Sequence, residues 1–202
     1  KQDVFMVPVD VPGVYCLQIK HFNQMTGPDL GRLMEEIMAK GDTSLIIDLR
    51  GNPGGPPLAA REIAAFFLTP EEEFTYFKWK NKPNATLDVP RIPEKYRYHG
   101  DIAILVNKGS GSASELFSGI MQWRQRATLI GTNTAGQVFL KSMFNFDDKS
   151  MVLLVTARGH RPDGEVFSFQ GLTPNVSSPE STDNLIHYAA NYLVETKKNR
   201  AQ

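Results

Sequence analysis

At 202 residues the chain is long enough to bury its own core and fits one domain, taken here as residues 1–202. Its 22 basic and 22 acidic side chains cancel, so no global charge draws it to nucleic acid or to an anionic membrane. A single cysteine, Cys16, excludes an internal disulfide framework, and no apolar run is long enough to span a bilayer.

Residues 1–13, with Pro8 and Pro12, read as an extended lead-in. Val14 to Ile19 is β-rich and is predicted as a strand, in which Cys16 is a packed, inert thiol. Thr26-Gly27-Pro28-Asp29 opens a helix whose apolar positions Leu30, Leu33, Met34, Ile37 and Met38 keep helical spacing, and Gly41 ends it. Leu45 to Leu49 is a short apolar run in the style of a buried strand. A helix over Pro57 to Leu68, a buried strand over Ile102 to Val106 and a helix over Ala113 to Gln125 follow. Strands dominate from Thr128 to about Ala157, and an amphipathic helix from Thr182 to Lys197 closes the chain. The alternation implies βαβ crossovers and a mostly parallel sheet.

Lys78 to His99 breaks the pattern by interleaving prolines, basic residues and the aromatics Trp79, Tyr96 and Tyr98. Such interleaving can line a groove for a nucleic-acid strand. A surface hairpin or strap is expected instead, because the acidic run Glu71 to Glu73 beside it would repel a phosphate backbone. Asn84-Ala85-Thr86 is a formal glycosylation acceptor, meaningful only in a secreted eukaryotic protein. No two of the four histidines have metal-ligand spacing, and neither a metal nor a cofactor is called for.

Two segments carry chemistry. Ser110-Gly111-Ser112-Ala113-Ser114-Glu115 and Asn52-Pro53-Gly54-Gly55 each lie where an apolar strand gives way to a helix. Together they offer a hydroxyl and two stretches of backbone N–H, the parts needed to attack a carbonyl and hold its oxyanion. Taken alone, Ser112 to Glu115 equally fits a capping box, and Asn52 to Gly55 an ordinary turn.

The flanking residues make a resemblance. Leu45 to Gly55 resembles the "LIxDLRxNPGG" signature of the C-terminal processing peptidases, the tail-specific proteases, and Ser110 to Glu115 their nucleophile motif. Arg126 to Gly131 followed by Thr134-Ala135-Gly136 resembles the strand that enters their lysine motif. Pro162-Asp163-Gly164 and Gly171 to Asn175 resemble two later landmarks. The resemblance implies a crotonase-like (ClpP-like) α/β core of ββα units and a serine endopeptidase cutting proteins near their C-termini. It makes Ser112 the nucleophile, Ala113 an oxyanion-hole donor, and Gly54, with Gly55 close behind, the second donor. It further implies a protein or peptide substrate and a PDZ domain in the full-length protein. The expected location is periplasm, cell envelope or outside the cell, with a leader trimmed before Lys1; a cytoplasmic protein is the other option.

The base departs from the family. Serine needs a neighbour to take its proton, and the family uses a buried, neutral lysine. Alignment from Ser112 puts that lysine at Gln137, which has no titrating proton, while Lys141 stands where the family has a supporting glutamine. Residues four apart on a strand share a face but lie roughly 13 Å apart, so the exchange is not neutral. The family's acidic residue after the nucleophile helix is Trp123 here, and His160 stands where an aromatic is usual; His21, His99 and His187 read as surface or structural positions. Three explanations stay open: Lys141 as a relocated base, a base from outside this chain, or a site silent by nature or by engineering. A silent member of the same fold would bind a peptide or an apolar ligand. An acyl-CoA enzyme of the crotonase class would share the paired N–H hole without needing the nucleophile motif.

Overall fold

The computed structural model describes residues 2–178 and 182–200. In chain order its elements are β1 (Val4–Val7), β2 (Val14–Ile19), α1 (Thr26–Met38), β3 (Ser44–Asp48), α2 (Pro57–Ala64), β4 (Glu73–Trp79) and β5 (Ala85–Asp88). They continue with β6 (Ile102–Val106), α3 (Ala113–Trp123), β7 (Thr128–Gly131), β8 (Phe139–Asn145), β9 (Met151–His160), β10 (Val176–Ser177) and α4 (Thr182–Arg200).

The main sheet has the order β1-β2-β3-β6-β7-β10, and every pairing except β1 with β2 is parallel. The two central strands, Ser-Leu-Ile-Ile-Asp and Ile-Ala-Ile-Leu-Val, are buried at every residue, as strands covered on both faces must be. Alternation splits them between two cores. Leu45 and Ile47 join one shared with α1, α2 and α3, whereas Ile46 joins a second, closed by Leu185, Ala189 and Leu193 of α4. Crossovers through α1, α2 and α3 keep β2, β3, β6 and β7 parallel. The loops after β3 and β6 therefore emerge side by side at the carboxyl end of the sheet, where ligands of open α/β folds bind.

The predicted mixed α/β core with a mostly parallel sheet is present, with three differences in detail. The lead-in contains β1, paired antiparallel with β2 from Val4 opposite Ile19. Helix α2 ends at Ala64 rather than Leu68, and the N–H groups of residues 65–68 bond back to the Glu62, Ile63 and Ala64 carbonyls in tight turns. A second sheet, β5-β4-β9-β8, is antiparallel throughout. The stretch read as a surface hairpin supplies the end of β4 and all of β5. The returning chain is pinned by Arg126, whose guanidinium donates to the carbonyls of Phe67 (3.0 Å), Gly100 (3.0 Å) and Tyr98 (2.6 Å). Among the described residues no helix is long and apolar enough to cross a membrane.

Candidate active site

The loops after β3 and β6 are joined by their own main chains. The Asn52 carbonyl accepts from the Gly111 N–H at 3.0 Å and from the Ser114 hydroxyl at 2.9 Å, and the Ser110 hydroxyl donates to the Leu49 carbonyl at 2.8 Å. Ser110, Ser114 and Asn52 are buried, and these bonds satisfy polar groups that water cannot reach. Ser110 and Ser114 thus act as fasteners on either side of Ser112.

Gly54 supplies room. A Cβ there would lie 2.7 Å from both the Ser112 Cβ and the Ala113 nitrogen, and its φ of 101° is a value L side chains rarely take. Sequence reasoning favoured Gly54 as the second oxyanion donor, with Gly55 close behind. The Gly54 N–H is spent on the Asn52 side-chain oxygen at 2.8 Å. The N–H groups of Gly55 and Ala113 make no hydrogen bond among the described residues. Gly55 lies against the Phe22 main chain, whose carbonyl a Cβ at Gly55 would strike.

Ser112 is half-buried and opens α3 with φ 53° and ψ −115°. The positive φ combines with a ψ outside the left-handed well, so the residue is strained. A strained serine on a sharp turn from strand to helix is the backbone arrangement of a nucleophile elbow. Glycine before it and alanine after it leave space for the turn.

The capping-box glutamate does more than the sequence showed. Glu115 is 1 % exposed and accepts four hydrogen bonds. Its Oε2 takes the Ser112 N–H (3.0 Å) and the Gln137 N–H (2.7 Å), and its Oε1 takes the Thr134 hydroxyl and the Gly136 N–H (2.6 Å each). One acceptor-only carboxylate thus fastens the serine turn to the segment that leads into β8. Position 137 is brought beside Ser112, as the alignment implied, but its side chain is an exposed amide. The signal available in the sequence was an acid in the first turn of an otherwise apolar helix.

Lys141 is not placed as a relocated base. It is exposed on β8 beyond a bulge at Leu140, with its ammonium 5.2 Å from the Phe139 ring centroid. Its side chain faces water and makes no contact with Ser112. Among the described residues no lysine or histidine side chain hydrogen-bonds to Ser112. His160 stacks on Tyr76 at 4.9 Å, filling a structural position. Trp123 packs under the Arg124 guanidinium at 4.6 Å. Burial, reinforced by the Asp48 carboxylate, pushes the Cys16 thiol up to about 12, so it is inert. No cluster of His, Cys, Asp and Glu among the described residues could hold a metal ion.

Residues 13–178 match Peptidase family S41. The chain belongs to that family. It is 28% identical over 162 residues to the carboxy-terminal processing protease CtpA of Bacillus subtilis, covering 80% of this chain and 34% of the relative. It is 30% identical over 164 residues to a probable CtpA-like serine protease of Staphylococcus epidermidis, covering 81% and 33%. Among solved structures, the photosystem II D1 C-terminal processing protease superposes with a TM-score of 0.74 at 22% identity, covering 88% of this chain and 48% of that one. A putative peptidase of Parabacteroides merdae reaches 0.79 at 18% identity, covering 95% and 64%. These structural likenesses show the shared ClpP-like S41 fold. The chain spans about a third of the length of the curated relatives it matches.

Proposed function

We propose that this S41 chain is the core of a serine endopeptidase that cleaves proteins near their C-termini through an acyl-enzyme on Ser112. The observation that carries the reading is the strained backbone of Ser112, held at a helix N-terminus against a glycine that has no room for a side chain. Strain of this kind persists only where the surroundings enforce it, and it aims the hydroxyl outward. The N–H groups of Ala113 and Gly55 would take the developing oxyanion, aided by the positive end of α3. A PDZ domain that captures the substrate tail, and a location in the envelope or outside the cell, belong to the same proposal for the whole protein.

The base is the remaining part. With Gln137 at the family's lysine position and Lys141 in solvent, the proton acceptor would come from a part of the protein beyond these 202 residues. The second reading, a silent member that holds a peptide, is favoured by the same observation, since an amide cannot accept the serine proton. Fluorophosphonate labelling separates them. A phosphonate adduct on Ser112, lost in Ser112→Ala, is expected for the enzyme; an unlabelled protein that Gln137→Lys converts into a labelled one has a complete site lacking only its base. If Gln137→Lys also stays unlabelled in the full-length protein, where any base from beyond these residues is present, the nucleophile reading falls.

A further inference from the structure

Among the described residues, the exposed large apolar side chains concentrate on the β8–β9 hairpin. Met143, Phe144, Met151, Leu153 and Leu154 are each 45–64 % exposed. The register puts Met143 opposite Leu153 and Phe144 opposite Val152, and neighbours along a strand face opposite ways, so both faces of the arm are apolar. Strand β8 is also the last in its sheet, and among the described residues its outer backbone edge has no strand partner. Proteins usually blunt such an edge with lysine, proline or a bulge. Here Lys141 and the bulge at Leu140 protect only the beginning, and Ser142-Met143-Phe144-Asn145 has none of these devices.

The edge is continuous with the candidate site. Gln137 and Ser112 give their N–H groups to the same oxygen of Glu115, and β8 begins two residues later at Phe139. The strand runs away from Ser112 for seven residues, roughly 23 Å of ladder. A partner added antiparallel, as every other strand of this sheet is paired, would run towards Ser112.

We propose that the open edge of β8 is the substrate's docking strand: an extended polypeptide segment rich in apolar side chains adds antiparallel to Phe139–Asn145 and delivers its C-terminal end to Ser112. The inference rests on Ser112 being the nucleophile. Main-chain hydrogen bonds give such docking its affinity, and the apolar side chains of Met143 and Phe144 on the two faces give it a preference for side chains of the same character.

The test uses the Ser112→Ala protein and a fluorescein-labelled peptide alternating leucine and serine, read by anisotropy. Two further peptides carry N-methyl groups on alternate amides, one set on the odd and one on the even positions. Only one set can face β8. That set is expected to weaken binding about tenfold or more, while the other set stays close to the parent. Phe144→Asp should weaken the parent peptide by a similar factor with the melting temperature unchanged, since the side chain is exposed. Equal binding of all three peptides means apolar adhesion without strand pairing and overturns the proposal, as does no binding at all. Sedimentation showing a dimer that Phe144→Asp dissociates would assign the edge to a second copy of the chain, and also overturns it. Labelling of Ser112 in the unmutated protein is read separately. Labelling without pairing removes the docking strand and leaves the nucleophile, whereas pairing with neither the unmutated protein nor Gln137→Lys labelled in the full-length protein removes the nucleophile and with it the delivery of a substrate to Ser112.

Discussion

Replacing Glu115 by glutamine is the most direct measure of how the site is held. The carboxylate receives two donors on each oxygen, and an amide can receive donors on one oxygen only. The less costly orientation turns the new NH2 towards Thr134 and Gly136, because the threonine hydroxyl can rotate to accept. Even so, the Gly136 N–H is orphaned in a buried place, and the Thr134 oxygen already accepts from the Leu172 N–H at 2.7 Å. Losing one hydrogen bond to a charged acceptor costs about 1.5–3 kcal/mol, and a buried orphan adds about 1–3 kcal/mol. With partial relaxation we expect Glu115→Gln to lose about 3 kcal/mol, which for a chain of this length lowers the melting temperature by roughly 6–12 °C. Urea unfolding at fixed pH measures the first quantity and a thermal scan the second. Fluorophosphonate labelling should fall as well, because the neutral amide oxygen left to the Ser112 and Gln137 N–H groups holds them more weakly than the carboxylate did. A loss of stability under about 0.5 kcal/mol, the range of ordinary surface substitutions, would refute the idea that this carboxylate organises the site.

Ser112→Gly should abolish labelling yet leave the protein as stable or more so by about 1 kcal/mol, because glycine relieves the strain and is itself a tolerable N-cap; a clear drop in melting temperature would mark Ser112 as a cap instead. Gly54→Ala should cost about 2 kcal/mol or more, from its positive φ and the collision with Ser112, and should remove labelling. Arg126→Met should destabilise by about 3 kcal/mol, with hydrogen exchange rising first around residues 98–100, where two of its carbonyl partners lie. Cys16 should resist iodoacetamide in the native protein at pH 8.5, because a thiol raised to about 12 is still protonated there, and should react once urea exposes it.

The main sheet was legible in the sequence because β3 and β6 are short, continuous apolar runs between turn residues, a pattern that two-sided burial demands. The serine turn and its glycine partner were legible too, since both lie at strand ends where chemistry is carried by local residues. The strands of the second sheet were legible in part, but their assembly into a separate sheet was not. Its strands carry charged residues such as Lys78, Lys141 and Arg158 on the exposed side, and the pairing of β4 with β9 joins segments far apart in the chain. Glu115 was visible as a cap but not as a node, because three of its four donors arrive from residues 134–137. Lys141 shows the same limit from the other side: a bulge and an exposed edge put its ammonium in water, and neither follows from its distance along the strand.

The Phe22 N–H donates to the Gly54 carbonyl, the Gly111 N–H to the Asn52 carbonyl and the Ala135 N–H to the Ser110 carbonyl. These three ties between separate loops are made by atoms that every residue except proline possesses. An alanine scan through residues 22, 111 and 135 would therefore pass over the contacts that align the loops, since none of them is a side chain. The same construction makes the cluster indifferent to which residues occupy those positions but sensitive to how many there are. Inserting or deleting one residue between Ile19 and Phe22, or between Asn107 and Ser110, would shift a donor by about 3 Å, more than a hydrogen bond can stretch. Relatives that have drifted to below a third identity can keep this geometry so long as the loop lengths are kept.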